Sequence, residues 1–369
     1  MSRQIKLAVL QMDATPAPTD ERLSRAKKLV ESVSHTGANL VVLPELFNTG
    51  YTYADTNYAV AETMTDPTVT WMRNTARQHK IYLVGSLLLR DHEHIYNTAL
   101  LFAPDGEMWR YDKQYPFLWE RAFFREGKGI TVADTELGQL GLMICWDSAH
   151  PELWERYAGL VDAMLIISCP PLINQSEMVF PDGKRLPTAT HSSHFADGGI
   201  QEQAKWMQVP VVHSSGHGRF VTPIPVPEPT VAFSAIQQPD HFLELLKQAP
   251  EVMLEAKFGY HTQVIDADGK IVARVTQDGD AFTVATIDLA DEKPMPIDEQ
   301  PTFGYPPQEY VAIDVLSDAV YASVYQRGVK RQWGTRMAPI DWATKVWAGV
   351  TIITLFVGMI IGSLSRKRD

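Results

Sequence analysis

Cys145 closes the apolar run Leu140-Gly141-Leu142-Met143-Ile144 and is followed by Trp146-Asp147-Ser148-Ala149-His150-Pro151-Glu152, a turn that hands over to a helix. A thiol at such a strand end lies near backbone N–H groups that favour a thiolate and can stabilise an oxyanion. Three charged residues occupy comparable settings. Glu45 comes directly after the apolar Val41-Val42-Leu43-Pro44, Lys113 follows Trp109-Arg110-Tyr111-Asp112, and Glu120 stands seven residues further on. Taken singly, Cys145 also reads as a packed thiol and Glu45 as a solvated carboxylate. Cys169, in Ile167-Ser168-Cys169-Pro170-Pro171, reads as a structural thiol at a strand end. Among His191, His194, His213 and His217, only the last two are spaced i,i+4, and the intervening Ser214-Ser215-Gly216 suggests a loop rather than a helical metal pair. No metal site, cofactor or Gly-rich phosphate loop is expected.

The elements that must position these groups are short β-rich runs alternating with helical stretches. Strands are expected at Ile5 to Met12, Leu40 to Leu43, Ile81 to Leu89, Thr98 to Phe102, Gly141 to Cys145, Ala163 to Ser168 and Val209 to His213. A helix is expected over Thr19 to Ser34, with Thr19 as its cap and Leu23, Ala26, Val30 and Val33 on one face. Ala103-Pro104-Asp105-Gly106-Glu107 and Asp266-Ala267-Asp268-Gly269-Lys270 read as Asp-Gly hairpin turns. This mixture predicts an α/β fold with helices covering a sheet. Two regions interrupt it. Residues 219–258, beginning with Pro223-Ile224-Pro225-Val226-Pro227-Glu228-Pro229 and turning helical around His241 to Ala256, read as an insertion, either a packed surface loop or a lid. Residues 291–341 read as an extended, proline-bearing arm leading into a helical stretch from Gln308 to Gln326.

The chain has 369 residues, 33 Lys and Arg against 44 Asp and Glu, and two cysteines. Its apolar content of 45% excludes a disordered or collagen-like chain, and the net charge of −11 argues against a nucleic-acid partner. Two cysteines cannot frame a disulfide scaffold. The start lacks the pattern of a secretory signal and reads as a first strand. Near the other end, Val346 to Ser365 are 20 residues without a charge, entered past Trp342 and Trp347 and closed by Arg366-Lys367-Arg368. That length in helix spans a bilayer core, so a transmembrane helix at 342–365 with a basic tail at 366–369 is expected. Five cations precede the span (Arg327, Lys330, Arg331, Arg336, Lys345) against three after it, which favours a cytoplasmic catalytic domain held by a tail anchor.

Taken together, Glu45 after its apolar strand, Lys113 followed by Glu120 and Phe123-Phe124, Ile144-Cys145-Trp146-Asp147 with Pro151-Glu152 downstream, and Gln203-Ala204-Lys205-Trp206-Met207-Gln208-Val209-Pro210-Val211-Val212 resemble the nitrilase, or carbon-nitrogen hydrolase, superfamily over residues 5 to 290 outside the insertion. Ser148-Ala149-His150 departs from the Arg-Phe type sequence of many members. The resemblance implies an αββα sandwich over residues 1–290 that commonly pairs into a homo-oligomer, a dimer or higher. It also implies a triad of Glu45, Lys113 and Cys145. In that reading Glu45 moves protons to and from Cys145, while Lys113 and the backbone N–H of Trp146 stabilise the oxyanion. Glu120 orients Lys113 or the substrate, and Phe117 and His150 line the substrate site. The expected activity is a thiol-dependent amidase held at the membrane, acting on a small or lipid-like amide through an acyl-enzyme. An N-acyltransferase, a nitrilase and an inactive tethered scaffold are the alternatives.

Overall fold

The structure, a computed structural model, describes residues 3–172, 175–188, 199–236, 238–302 and 310–334. Fifteen strands are described: β1 (Arg3–Asp13), β2 (Leu40–Val42), β3 (Tyr82–Asp91), β4 (His94–Phe102), β5 (Met108–Asp112), β6 (Val132–Thr135), β7 (Gly138–Ile144), β8 (Ala163–Ser168), β9 (Glu177–Val179), β10 (Arg185–Pro187), β11 (Val211–Pro223), β12 (Met253–Phe258), β13 (Gln263–Ile265), β14 (Ile271–Arg274) and β15 (Ala281–Leu289).

They build two halves of matching plan. One runs β15-β1-β2-β3-β4-β5, with β1, β2 and β3 parallel and antiparallel strands at its flanks. The other runs β14-β13-β11-β8-β7-β6, with β11, β8 and β7 parallel. The tip of β1 pairs with β11 at Met12 and Gly216, joining the halves into one nearly closed sheet.

Alternation along each strand decides what goes where. In β1, Leu7 and Val9 turn inward to a core shared with Leu142, Ile144, Leu165 and Val212 of the opposite half. Ala8 and Leu10 turn outward to Leu29, Val30, Val69 and Met72 of the Thr19–Ser34 and Pro67–His79 helices. Met143, Met164 and Ile166 likewise meet Leu153 and Trp154 of the Pro151–Tyr157 helix and Ala204 of the Ile200–Met207 helix. Both faces of each parallel core are covered, giving the αββα sandwich.

The structure corrects several local expectations. Thr19 makes no cap hydrogen bond; Pro18 precedes the helix, and Asp20 and Glu21 supply the favourable charge in its first turn. His213 and His217 lie within β11, not in a loop, because Val211 to Ser215 is paired with β8. Gly216 is required there, since a Cβ would collide with Cys169 Sγ. The 219–258 region starts as a continuation of β11 and returns as β12, which carries β9 and β10 on its far edge. Between β11 and β12, the Pro227–Ala235 and Phe242–Gln248 helices bury Val231 and Leu245 in a cluster that also holds Tyr51, Trp119 and Tyr321. Trp119 thereby links the insertion to the turn bearing Glu120. The helical stretch near the C-terminus is a π-helical turn at Val311–Leu316 followed by a helix at Ser317–Trp333.

The expected span at 342–365, the tail at 366–369, and His191 and His194 lie outside the described residues. Among the described residues no helix is long and apolar enough to cross a membrane.

Leu165 is fully buried between the two halves. Leu165→Ala is expected to lower unfolding stability by about 2–5 kcal/mol, read as a lower urea midpoint with an unchanged slope.

Candidate active site

Lys113 leaves the end of β5 held by its own backbone, whose N–H donates to Asn97 O of β4 at 2.9 Å. Its side chain is wholly buried, yet its ammonium lies 3.0 Å from Glu45 Oε1 and 2.7 Å from Glu120 Oε2. Glu45 follows β2 and takes a second bond on the same oxygen, 2.8 Å from Asn97 Nδ2. Its other oxygen, Oε2, is buried without a partner among the described residues. Glu120 sits in the short turn Leu118–Ala122, where its carboxylate also accepts the Phe117 N–H at 2.6 Å and the Tyr51 hydroxyl. The two acids therefore differ. Glu120 is saturated with donors, whereas Glu45 keeps one oxygen free.

Cys145 is buried at the tip of β7 with φ 50°, a left-handed conformation that L side chains adopt at a cost of about 1–2 kcal/mol. Leu46, directly after Glu45, and Leu118, two residues before Glu120, share it at φ 49° and 43°. Backbone strain thus gathers where the chain turns these groups into one space. Asp147 stitches the turn together. It accepts the Ile144 N–H at 3.2 Å, the Tyr111 hydroxyl at 2.7 Å, and the Gln114 and Tyr115 N–H groups at 3.0 and 2.8 Å. One carboxylate thereby joins the segment after Lys113 to the segment bearing Cys145.

The charges act on one another strongly because water is excluded. Burial pushes the Cys145 thiol well above its ordinary value, the Glu45 carboxylate adds to that, and the Lys113 ammonium and the backbone N–H of Cys169 oppose it. Burial thus opposes the thiolate that the strand-end N–H groups favour. Burial likewise raises Glu45 to about 7, although Lys113 pulls it down. For Lys113 burial works against the charge, but Glu120 and Glu45 together hold its pKa well above the usual lysine value.

The sequence profile of the carbon-nitrogen hydrolase family matches residues 6–296. This chain belongs to the carbon-nitrogen hydrolase family. It is 35% identical over 152 residues to a nitrilase of Pyrococcus abyssi, covering 40% of this chain and 58% of that protein. It is 31% identical over 169 residues to an omega-amidase of Xenopus laevis, covering 42% and 60%. These matches span less than two thirds of either relative. Among solved structures, a Saccharomyces cerevisiae member of the nitrilase superfamily superposes with a TM-score of 0.57 at 24% identity over 78% of this chain and 90% of that one. An amidase of Nesterenkonia sp. AN1 superposes at 0.56 with 18% identity over 78% and 94%. The last two likenesses concern the fold.

Within this carbon-nitrogen hydrolase, the remaining expected residues fall around the same turn. The Trp146 ring stands edge-on to Phe117 at 5.1 Å and to His150 at 5.7 Å. His150 stacks on Tyr115 at 3.6 Å and lies 3.1 Å from Glu152 Oε1. Cys169 and His213 are buried; Ser168 Oγ lies 2.5 Å from His213 Nε2, and burial lowers His213 to about 3, keeping it neutral. Among the described residues no group of three or more His, Cys, Asp or Glu is placed to hold a metal ion.

Sequence reasoning passed over Asn97, Tyr51, Asp147 as a positioning group, and Asp314. Asn97 could have been found as a polar residue inside an apolar strand, where burial demands a specific partner. Asp314 carries no local signal at all.

With Glu45 at about 7 as the proton acceptor for the thiol, Cys145 reactivity should rise with pH through about 7. Below that value Glu45 holds a proton and cannot take another. Rates of iodoacetamide alkylation followed by intact mass should show this limb, and Glu45→Gln should lower the rate and remove the limb.

Proposed function

We propose that this chain hydrolyses a non-peptide carbon–nitrogen bond, as an amidase, through a covalent intermediate on Cys145. The observation that carries the reading is the Lys113 ammonium fixed between the buried carboxylates of Glu45 and Glu120, with the Cys145 thiol within the field of all three. Two relatives, a nitrilase and an omega-amidase, are named for activities of the same class.

Each group has one task in this chemistry. Glu45, through its free Oε2, takes the thiol proton as Sγ bonds to the substrate carbonyl carbon. A carboxylate poised near the working pH is suited to accepting and returning that proton. Charge then develops on the carbonyl oxygen, where Lys113 and the backbone N–H of Trp146 stabilise it. Glu45 gives its proton to the leaving nitrogen, the C–N bond breaks, and a thioester remains on Cys145. Water attacks that thioester with Glu45 again accepting a proton, releasing the acid and restoring the thiol. Glu120 keeps Lys113 charged and aimed without entering the proton transfers.

The charge-free run Val346 to Ser365 between Trp342 and Arg366-Lys367-Arg368 supports attachment to a membrane and, with it, an amphiphilic amide as substrate. The nitrilase among the relatives favours a second reading, in which a nitrile carbon is attacked by the same thiol. Side-by-side turnover of matched amides and nitriles separates the two.

Exposure of the protein to a panel of amides should leave an acyl mass on the peptide containing Cys145, and Cys145→Ala should abolish both adduct and turnover. Lys113→Met should lower kcat by about 10²–10³. Turnover retained by Cys145→Ala would refute the proposal. Full-length protein should float with liposomes in a density gradient, whereas protein ending before Asp341 should stay at the bottom; equal flotation would contradict the anchor.

A further inference from the structure

The segment Tyr310–Leu316, beyond the residues 6–296 that match the family profile, packs onto the turn that carries the nucleophile. Asp314 Oδ1 accepts the indole N–H of Trp146 at 3.1 Å, and its Oδ2 lies 3.5 Å from His150 Nε2. Tyr310 donates its hydroxyl to Ala149 O at 2.7 Å. Two residues of the Cys145–His150 stretch are therefore hydrogen-bonded to one short piece of chain some 160 residues away, and a third lies beside it. The π-helical winding of Val311–Leu316 accompanies this placement. Asp314 has 13% of its side chain exposed, whereas Val311 and Val315 on the same turn are 43% and 62% exposed. Arg121, one residue from Glu120, lies 3.6 Å from Asp314 Oδ1.

We propose that Asp314 is a positioning residue for the proposed reaction. It fixes the Trp146 indole, and with it the backbone N–H one residue after Cys145, so that docking of the C-terminal helical segment sets the competence of the nucleophile. This rests on the reading of Cys145 as the nucleophile. A backbone donor serves an oxyanion only if it is held to a few tenths of an ångström, and an indole anchored at its far end restrains the peptide it hangs from. The left-handed φ at Cys145 adds a reason for an external tie, because a strained turn relaxes unless its surroundings hold it.

The test uses the full-length protein and the variants D314A, D314N, W146F, the W146F/D314A pair, and D318A. Asp318, on the following helix, lies 3.5 Å from Arg125 and 3.9 Å from Arg121, and serves as the control for docking of that helix and for the Arg121 contact it shares with Asp314. Expected are faster hydrogen exchange in the peptide covering 144–150 for D314A, and a fall of about tenfold in kcat and in Cys145 alkylation rate with KM within about twofold. D314N, which keeps an acceptor for the indole, should recover most of the rate. W146F/D314A should lose no more than the worse single variant, and D318A should change neither exchange nor rate. Unchanged exchange at 144–150 in D314A, additive losses in the pair, or an equal loss in D318A would overturn the assignment. Turnover without any acyl mass on wild-type Cys145 would instead count against the proposed function, while the exchange readout on the turn would still decide the tie.

Discussion

Two carboxylates and one ammonium, all buried, leave an uncompensated negative charge in a region that excludes water. Desolvating such a group is costly unless every lone pair and proton is matched, and here the matching is deliberately uneven. Glu120 receives Lys113, Tyr51 and a backbone N–H, so both of its oxygens have donors. Glu45 receives Asn97 and Lys113 on one oxygen and, among the described residues, nothing on the other. The unbalanced charge is relieved most easily by placing a proton on Glu45, which is why burial lifts that residue to about 7 while Lys113 stays charged. In the proposed mechanism the same unevenness separates a proton carrier from a fixed electrostatic support, two tasks that identical side chains could not otherwise divide.

The fold supplies this arrangement by bringing chain ends to one place. Glu45 follows β2, Lys113 follows β5, Cys145 follows β7, and the strands beneath them are stiff because both faces are packed. Strand ends alone would leave the side chains directed to one face or the other of the sheet. Left-handed residues at Leu46, Leu118 and Cys145 make the final turns, and Asp147 bonds the Lys113 segment to the Cys145 segment across the gap between the two halves of the sandwich. The strain is local, and the covering layers that sustain it are large.

How much of this could be read in advance follows from the range of each interaction. Ala163–Ser168 and Thr19–Ser34 match their expected limits because period-two and period-3.6 patterns are local. The β11 extension to Pro223 was hidden by the prolines, which look like loop until β12 is seen pairing with it from Gly218 to Pro223. That Glu45, Lys113 and Glu120 belong to one cluster was legible through their short flanking motifs. Tyr51, Asn97 and Asp314 were not, since each is defined by a partner 52 to 168 residues away that no periodicity announces. The burial of the thiol is not legible in the sequence for a related reason. A strand end followed by a turn suggests exposed N–H donors, but only the packed structure reveals that the sulfur is buried.

The raised ionisation of Glu45 is open to direct observation by carbon-13 NMR of protein labelled at the glutamate carboxyl carbons, titrated from acid to alkaline pH. A resonance titrating at about 7 that disappears in Glu45→Gln is the predicted result. Titration of every glutamate near the unperturbed value of about 4.3, or a resonance near 7 that survives in Glu45→Gln, would contradict it.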